Sequence, residues 1–298
     1  MNSRSKYAIV GLGGRHEMYR DAIVEEFSDN SELVALCDTN QHRLEISKQR
    51  ATEKGAGNVR AFPAGQFENM IRETQPDNVI VTTRDKDHDK YICWAMELGC
   101  DVITEKPMTI DEERCRKILE TKKKTGRSVT VTFNYRYAPP RTQVKDLLMS
   151  GVIGNILSVK FEWLLNVRHG ADYFRRWHRN KENSGGLLVH KATHHFDLVN
   201  WWLSTLPESV ISSGHRHFYT PETAERYGLT NRGERCYGCP DADRCPFRLD
   251  LTANQNQREL YLNAETEDGY YRDRCVFSDQ IDIEDNMNVI VDYQDGAK

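Results

Sequence analysis

The stretch KYAIVGLGGRH, residues 6–16, joins a short apolar run to a glycine-rich turn. The apolar run predicts a strand, and the pattern after it predicts a helix over about residues 18–27. Gly11 would permit the tight turn, and Gly13 would let a pyrophosphate approach the backbone beside the amide donors of the helix N-terminus. His16 stands where the usual dinucleotide fingerprint has its third glycine. The turn is therefore a dinucleotide-binding signal that needs support from its surroundings.

The first half of the chain alternates strand-like and helix-like segments. Near-continuous apolar strands separated by helices predict a parallel sheet that is covered on both faces. Such a sheet binds its ligands at the carboxyl ends of its strands. We therefore expect an α/β Rossmann domain with a doubly wound sheet over residues 1–127. After the first strand, the predicted strands are ELVALCD (32–38), VRAF (59–62), NVIVTT (78–83), DVITEKP (101–107) and SVTVTFN (128–134), and the predicted helices cover 42–55, 64–74, 88–98 and 111–125.

Asp38 ends the second predicted strand, about twenty residues after the glycine-rich turn. A carboxylate at this point accepts hydrogen bonds from the adenosine ribose hydroxyls and repels a 2′-phosphate, which favours NAD over NADP. Arg43, one helical turn later, keeps NADP open as the less favoured cofactor. The alternative is that Asp38 only caps the helix beginning near Asn40.

The composition excludes several classes of protein. The 298 residues carry a net charge of −4, with 29% charged and 38% hydrophobic residues, so nucleic acid and anionic membrane surfaces are not expected partners. No apolar run approaches the ~18 residues of a membrane span. The N-terminus enters a predicted strand almost at once, which leaves no room for a signal peptide. We expect a cytoplasmic protein of two domains.

Three motifs in a fixed order carry a family resemblance. Glu105-Lys106-Pro107 ends the fifth predicted strand, NYRYAPPRTQVKDLLMSGVIGNILSVKFEW covers 134–163, and SGGLLVHKATHHFDLVNWWL covers 184–203. Together with the glycine-rich turn and the acidic end of the second strand, they resemble the glucose–fructose oxidoreductase/inositol dehydrogenase family, written Gfo/Idh/MocA. The resemblance extends over about residues 6–210.

The resemblance implies a second, α+β domain over residues 128–298 with a largely antiparallel sheet. Within it, ILSVKFEWLL (156–165) and NMNVIVDY (286–293) are strand-like. One face of this sheet would close over the nicotinamide and the other would mediate association, so a homo-oligomer is expected. The chain ends at a predicted hairpin turn, Asp295-Gly296, without a following strand. Because the family usually runs longer, this end is consistent with a chain truncated at its C-terminus.

Position by position, the resemblance implies that Lys106 and His194 are catalytic and that Asp197 supports them from the same helix face. His88 would lie near the nicotinamide ribose. The sequence departs from the family where His190 replaces the usual aspartate and Ala192 the usual glycine. The predicted catalytic residues are Lys106, His194, His190 and Asp197, and the predicted cofactor-binding residues are Gly11, Gly13, Gly14, Arg15, His16, Asp38, Thr82, Thr83, His88, Glu105 and Lys106.

The histidine-rich stretch allows two kinds of chemistry. If it is helical from Leu187, then His190, His194 and Asp197 lie on one side. Two histidines spaced in this way hold a metal ion or present an acid and a base to a bound alcohol. No third ligand is obvious nearby, so proton transfer is favoured. His169 and His178, which could approach His190 in space, keep the metal alternative open.

These residues suit hydride transfer between NAD and a secondary hydroxyl of a sugar, cyclitol or glycoside. An imidazole at His194 can take the hydroxyl proton, and the Lys106 ammonium can stabilise the oxygen as charge builds. One alternative is an NAD-dependent glycosidase or lyase that oxidises the sugar transiently, motivated by His190. A non-catalytic dinucleotide-binding regulator is the other, and the retained Lys106 and His194 argue against it. Candidate contacts to the small-molecule substrate are aromatic or basic: Tyr135, Arg136, Trp163, Trp177 and His195, with Arg168, Tyr173, Arg176 and Arg179 as further candidates.

The second half of the chain contains Cys236, Cys239, Cys245 and Cys275. The first two have the spacing that lets two thiolates bind one metal ion from a tight turn. The polar stretch between the cysteines is expected to bury too little apolar surface to order itself. We therefore predict a structural zinc site that holds a cysteine-rich insertion over about 214–280. Free thiols, disulfides and an iron–sulfur cluster are the alternatives.

Overall fold

The computed structural model describes residues 4–298, which divide into two compact units. The first unit comprises the chain through Thr132 together with 235–237 and 249–274, and the second comprises the intervening segments and the C-terminal residues. The segment predicted as an insertion of the second domain therefore contributes residues to both units. Among the described residues, every helix is too short or too polar to cross a bilayer.

The first unit is built on a six-stranded parallel sheet with the strand order β3-β2-β1-β4-β5-β6. The order reverses beside β1, which has β2 on one side and β4 on the other. At such a reversal the connecting helices leave in opposite directions and open a crevice at the carboxyl ends of the strands. The predicted α/β fold class is confirmed. The elements are β1 (Ser5–Val10), α1 (His16–Asp21), β2 (Ser31–Asp38), α2 (Gln41–Glu53), β3 (Arg60–Pro63), α3 (Phe67–Thr74), β4 (Asn78–Val81), α4 (His88–Glu97), β5 (Asp101–Thr104), α5 (Glu112–Thr125) and β6 (Val129–Val131), and a π-helix (Ala22–Glu26) continues α1.

Both faces of this sheet are covered by apolar side chains. On β4, Val79 and Val81 belong to the cluster that packs against α3, α4 and α5, whereas Ile80 belongs to the cluster on the other face with Leu36 and Leu44. Successive side chains of a strand point to opposite faces, so a strand buried on both faces needs an unbroken apolar run. This requirement explains the near-continuous hydrophobic runs in the sequence.

The second unit contains several helices and a two-stranded antiparallel sheet. Its strands pair from Pro207 with Tyr293 to His215 with Asn286. Its elements are α6 (Pro139–Met149), α7 (Val167–Arg175), α8 (Lys181–Ser184), α9 (Leu187–His190), α10 (Thr193–Leu203), β7 (Pro207–His215), α11 (Pro221–Arg226) and β8 (Asn286–Tyr293). Two short helices, α12 (Gln255–Gln257) and α13 (Glu265–Asp268), lie in the part of the later chain that belongs to the first unit.

One of the expectations for the second domain was wrong, and one strand was not predicted. Residues 156–165 form no regular strand, although the Val159 N–H donates to the Lys298 carbonyl at 2.8 Å and the Lys298 N–H donates to the Leu157 carbonyl at 3.2 Å. The strand that pairs with β8 is β7, which carried no strong alternation of apolar and polar residues in the sequence. A strand is defined by its hydrogen-bonded neighbour, and that neighbour is supplied from a distant part of the chain.

The histidine-rich stretch is not one continuous helix. It forms α9 and α10, separated at Lys191 and Ala192. The Ala192 N–H donates to the Leu187 carbonyl, five residues earlier, at 2.8 Å. This widened turn places His190 at the end of one helix and His194 in the first turn of the next.

Candidate active site

In the first unit, the ends of four neighbouring strands lie in register. Val10 pairs with Cys37 on β2 and with Val81 on β4, which in turn pairs with Thr104 on β5. The residues that follow these four positions are Gly11, Asp38, Thr82 and Glu105. Each of them was predicted to bind the cofactor, and the sheet brings them to one edge.

Gly11 occupies a position where a side chain has no room. Its φ is +89°, a left-handed conformation, and a Cβ atom there would lie 2.6 Å from the Thr83 backbone nitrogen. The Thr82 hydroxyl donates to the Gly11 carbonyl at 2.6 Å and ties the turn to the end of β4. Glycine is therefore required at this point both by backbone conformation and by close approach.

His16 replaces the third glycine of the fingerprint and is fully buried. Its Nδ1 lies 2.6 Å from the Gly13 carbonyl oxygen. Burial lowers the pKa of this imidazole to about 4, and the bond to Gly13 acts in the opposite direction. At neutral pH a neutral ring therefore braces the turn between β1 and α1.

Asp38 is buried and directed toward the glycine-rich turn. Its carboxylate accepts hydrogen bonds from the backbone N–H of Leu12 at 2.5 Å and of Asn40 at 2.8 Å. The residue that caps α2 is Asn40, whose side chain accepts from the Arg43 N–H at 3.0 Å. Asp38 is therefore not the helix cap, and its carboxylate stands beside the turn that would hold the pyrophosphate.

The Glu105-Lys106-Pro107 tripeptide follows β5, and its lysine is buried. Glu105 accepts a hydrogen bond from the Tyr19 hydroxyl at 2.8 Å and lies 3.5 Å from the Arg15 guanidinium. His88 bridges two neighbouring loops, with Nδ1 2.9 Å from the Pro107 carbonyl oxygen and Nε2 3.2 Å from that of Thr83. These contacts fix the backbone on both sides of Lys106.

In the second unit, His194 lies against Tyr135. The two rings stack with centroids 4.0 Å apart and planes inclined by 7°. The Tyr135 hydroxyl accepts a hydrogen bond from the Lys191 ammonium at 2.8 Å, and the Arg141 guanidinium lies 4.0 Å from the centre of its ring. His194 itself is buried. A stacked aromatic ring fixes the plane of the imidazole.

His190 lies beside His178, with ring centroids 4.0 Å apart. Both rings are buried, and Tyr173 packs edge-on against each of them. Trp177 stacks on His178 at 3.6 Å. Among residues 4–298, however, no group of three or more His, Cys, Asp or Glu side chains is arranged to hold a metal ion. The pair of histidines is therefore a polar cluster enclosed by aromatic rings.

Asp197 is engaged by Arg136. The guanidinium Nε donates to one carboxylate oxygen at 2.7 Å, and a second nitrogen pairs with the other oxygen. This two-pronged ion pair joins α10 to the segment before α6 and raises the pKa of Arg136. Two predicted site residues thus bind each other instead of presenting separate groups.

The predicted substrate contacts Tyr135, Trp163 and His195 form one aromatic group with Phe161. Trp163 keeps 43% of its surface exposed and is the most accessible of these four rings. Burial raises the pKa of the neighbouring Tyr173, and the Lys191 ammonium acts on it in the opposite direction. Sequence reasoning missed Lys191 and Phe161. The signal for Lys191 was its position as the one cationic Lys or Arg among apolar and histidine residues in GGLLVHKATHHFD.

The four cysteines of the second half do not support the predicted zinc site. Among the described residues none of the four forms a disulfide, and no group of side chains is arranged to hold a metal ion. Cys245 and Cys275 pack against the apolar cluster that contains Phe247 and Phe277, and burial raises the pKa of both thiols. The expectation that the polar stretch between the cysteines buries little apolar surface was wrong, because its buried side chains include Phe247, Leu251, Leu260 and Ala264.

Comparison with known proteins identifies relatives along nearly the whole chain. The Bacillus subtilis (strain 168) protein YteT is 36% identical over 295 residues, which is 96% of this chain and 68% of YteT. The D-glucoside 3-dehydrogenase of Escherichia coli (strain K12) is 30% identical over 76% of this chain and 62% of its own length. The crystal structure of the WlbA dehydrogenase from Bordetella pertussis with NADH and UDP-GlcNAcA superposes with a TM-score of 0.61, at 24% identity, over 72% of this chain and 64% of WlbA. This chain thus spans about two thirds of the length of these proteins.

Two sequence families match consecutive parts of the chain. The oxidoreductase family with an NAD-binding Rossmann fold matches residues 5–133. The C-terminal alpha/beta domain of the same oxidoreductase family matches residues 145–297. The matches cover both structural halves in the order that the sequence motifs indicated. This chain belongs to the Gfo/Idh/MocA oxidoreductase family.

Proposed function

We propose that this chain is an NAD-dependent oxidoreductase that transfers hydride between nicotinamide and a secondary hydroxyl of a sugar, cyclitol or glycoside. The observation that carries the proposal is the row of Gly11, Asp38, Thr82 and Glu105, with Lys106 next to it, at the carboxyl edge of the sheet. This edge combines a turn open to phosphate, a carboxylate for ribose and a cation for the reacting oxygen.

The residues at this edge fit NAD. Gly11 leaves no space for a Cβ, and Gly13 places no side chain between the turn and a ligand, whereas the Gly14 N–H is already bound by the Tyr261 hydroxyl. Asp38 uses its carboxylate to brace the turn and retains acceptor capacity for ribose hydroxyls, since each of its oxygens has two lone pairs. When bound, the nicotinamide supplies the hydride acceptor or donor.

In the proposed reaction, His194 takes the proton of the substrate hydroxyl and the Lys106 ammonium stabilises the negative charge on the oxygen. An imidazole can act as a base at neutral pH. The stack on Tyr135 holds the His194 ring in one plane, and the hydrogen bond from Lys191 fixes Tyr135 in turn. A base that is held in its reactive orientation loses less conformational freedom on the way to the transition state.

His190 has a supporting role in this proposal. It stands where the family has an aspartate, and it lies 4.0 Å from the ring of His178. Two cationic imidazoles at this distance would repel each other, which disfavours a positive charge on both rings at once. His190 would therefore act by hydrogen bonding rather than as a fixed negative charge.

The named activity of the E. coli relative, dehydrogenation of a D-glucoside at position 3, supports a sugar or glycoside as the substrate class. The aromatic group of Tyr135, Phe161 and Trp163 suits the apolar face of a sugar ring. A cytoplasmic location and a homo-oligomer belong to the same proposal.

Incubation of the purified protein with NAD and a panel of sugars, cyclitols and glycosides tests the proposed function. Net formation of NADH is the expected result, and it should disappear in Lys106→Ala. Cleavage of a glycosidic bond without net NADH would instead identify the glycosidase or lyase that His190 makes the second candidate. Binding of NAD without turnover of any substrate would contradict both reactions.

A further inference from the structure

Residues 249–274 form a strap, which belongs to the first unit although it lies far along the chain from the strands of that unit. It contains α12, a π-helix over Arg258–Leu262 and α13. The strap packs onto the end of β2 and the start of α2, next to the glycine-rich turn. In a dinucleotide-binding sheet, this edge receives the adenosine ribose.

Several hydrogen bonds fix the strap in register with α2. Asn40, which is fully buried, donates from its side-chain amide to the Ala264 carbonyl at 2.9 Å. The Glu267 carboxylate accepts from the backbone N–H of Gln41 at 2.7 Å and of His42 at 3.2 Å. The strap thus supplies acceptors to amides that a helix leaves without partners in its first turn.

The strap also reaches the glycine-rich turn. The Tyr261 hydroxyl accepts a hydrogen bond from the Gly14 N–H at 2.8 Å. A Cβ atom built on Gly14 would lie 3.2 Å from this hydroxyl oxygen. The docked strap is therefore in direct contact with the backbone that would face the pyrophosphate.

Arg43 lies between two carboxylates at this edge. Its Nε is 3.5 Å from an Asp38 oxygen, and its terminal nitrogen forms an ion pair with Asp268 of the strap. An arginine beside the ribose is the group with which dinucleotide-binding folds accept the 2′-phosphate of NADP. Here the guanidinium is already engaged by two acids, one from β2 and one from the strap.

We propose that Asp268 is a specificity-determining residue that excludes NADP. Asp268 holds Arg43 and, together with Asp38, places two negative charges where a 2′-phosphate would bind. Like charges brought together in this way disfavour the phosphorylated cofactor while leaving the ribose hydroxyls of NAD with their acceptor. The inference rests on NAD as the cofactor of the proposed function and is independent of the substrate.

Titration calorimetry with NAD and NADP tests the proposal without an activity assay. The wild type is expected to prefer NAD. In Asp268→Asn, Arg43 is released from one acid, and the ratio of the NADP to the NAD dissociation constant should fall by about tenfold, mainly through tighter NADP binding. An unchanged ratio in this variant would overturn the proposal.

Two further variants separate charge at Arg43 from docking of the strap. Glu267→Gln weakens the contact to α2 without touching Arg43, so the ratio should stay within about twofold of the wild type. Asp243→Asn removes an acid that pairs with Arg248 elsewhere in the chain and should leave the ratio unchanged. A change in either variant as large as that in Asp268→Asn would show a general effect of docking or net charge and contradict the proposal.

A double variant makes the test independent of the stability of any one protein. If Asp268 acts through Arg43, adding Asp268→Asn to Arg43→Gln should produce no further gain in NADP binding. A gain of the full size in that background would exclude Arg43 as the intermediary. Protein that binds neither dinucleotide would overturn this inference along with the cofactor, whereas the expected ratios without sugar turnover would remove only the proposed reaction.

Discussion

The imidazole of His194 lies face to face with the phenol ring of Tyr135, at 4.0 Å between centroids and 7° between planes. The Tyr135 hydroxyl in turn accepts a hydrogen bond from the Lys191 ammonium at 2.8 Å. The stack holds the proposed base in one orientation, and the hydrogen bond holds the stack. Two substitutions at Tyr135 separate these links, because leucine removes both of them and phenylalanine removes only the hydrogen bond.

Tyr135→Leu should lower kcat by about tenfold or more, because the imidazole then samples orientations that do not face the substrate hydroxyl. Tyr135→Phe keeps the ring and loses only the bond to Lys191, so a smaller decrease is expected. Steady-state kinetics of both variants across pH measures the difference. Equal kcat in Tyr135→Leu and wild type would exclude a positioning role for the stack.

Lys106→Ala and His194→Ala should each reduce turnover by at least ~10²-fold while NAD binding survives, as expected for groups that act on the transition state. Calorimetric titration with NAD confirms that each variant is folded and loaded. Chelator should leave wild-type activity intact. A variant with near wild-type turnover would remove its residue from the proposed mechanism.

Asp38→Ala should erode the proposed preference for NAD over NADP, because the carboxylate proposed to face the ribose is lost and Arg43 loses one of its two acids. NAD binding should also weaken, since Asp38 braces the Leu12 amide in the turn. Dissociation constants for both dinucleotides give the result. A wild type that prefers NADP would contradict the assignment of Asp38.

Gly11→Ala should cost about 2–3 kcal/mol of stability and abolish NAD binding, because the new methyl group meets the Thr83 backbone in a left-handed conformation. Gly55 is a matched control, since its φ is +97° and no atom lies within 4 Å of its ideal Cβ. Gly55→Ala should cost only about 1 kcal/mol and leave NAD binding unchanged. Denaturant unfolding and NAD titration of the two variants distinguish close approach from backbone strain alone.

His16 should make the free energy of unfolding decrease as the pH is lowered. Its folded-state pKa is about 4, below the value of 6.5 for an unperturbed histidine, so between these values the unfolded chain binds a proton that the folded protein does not. Stability contributed by the neutral ring is present above pH 6.5 and decreases by up to about 3 kcal/mol as the pH falls to 4. Urea unfolding at several pH values should show a shallower dependence in His16→Gln than in the wild type. Identical slopes would assign the acid sensitivity to other groups.

The sequence alone predicted the parallel sheet and the residues at the carboxyl edge of its strands. Continuous apolar runs such as NVIVTT, the glycines that begin at Gly11 and the acid at Asp38 act within a few residues of one another. Their physical causes are local, because a strand buried on both faces needs apolar residues throughout and a left-handed turn needs glycine. These features predicted the α/β class and, with the motifs at Lys106 and His194, the family.

Only the tertiary structure decided which distant groups meet. Asp268 reaches Arg43 from 225 positions away, Arg136 takes the carboxylate of Asp197, and β7 pairs with β8. The spacing of Cys236 and Cys239 fits a metal site, whereas the packing of Cys245 and Cys275 against aromatic side chains could not be read from that spacing. No local pattern encodes such contacts, because ion pairing, strand pairing and burial depend on which surfaces the folded chain brings together.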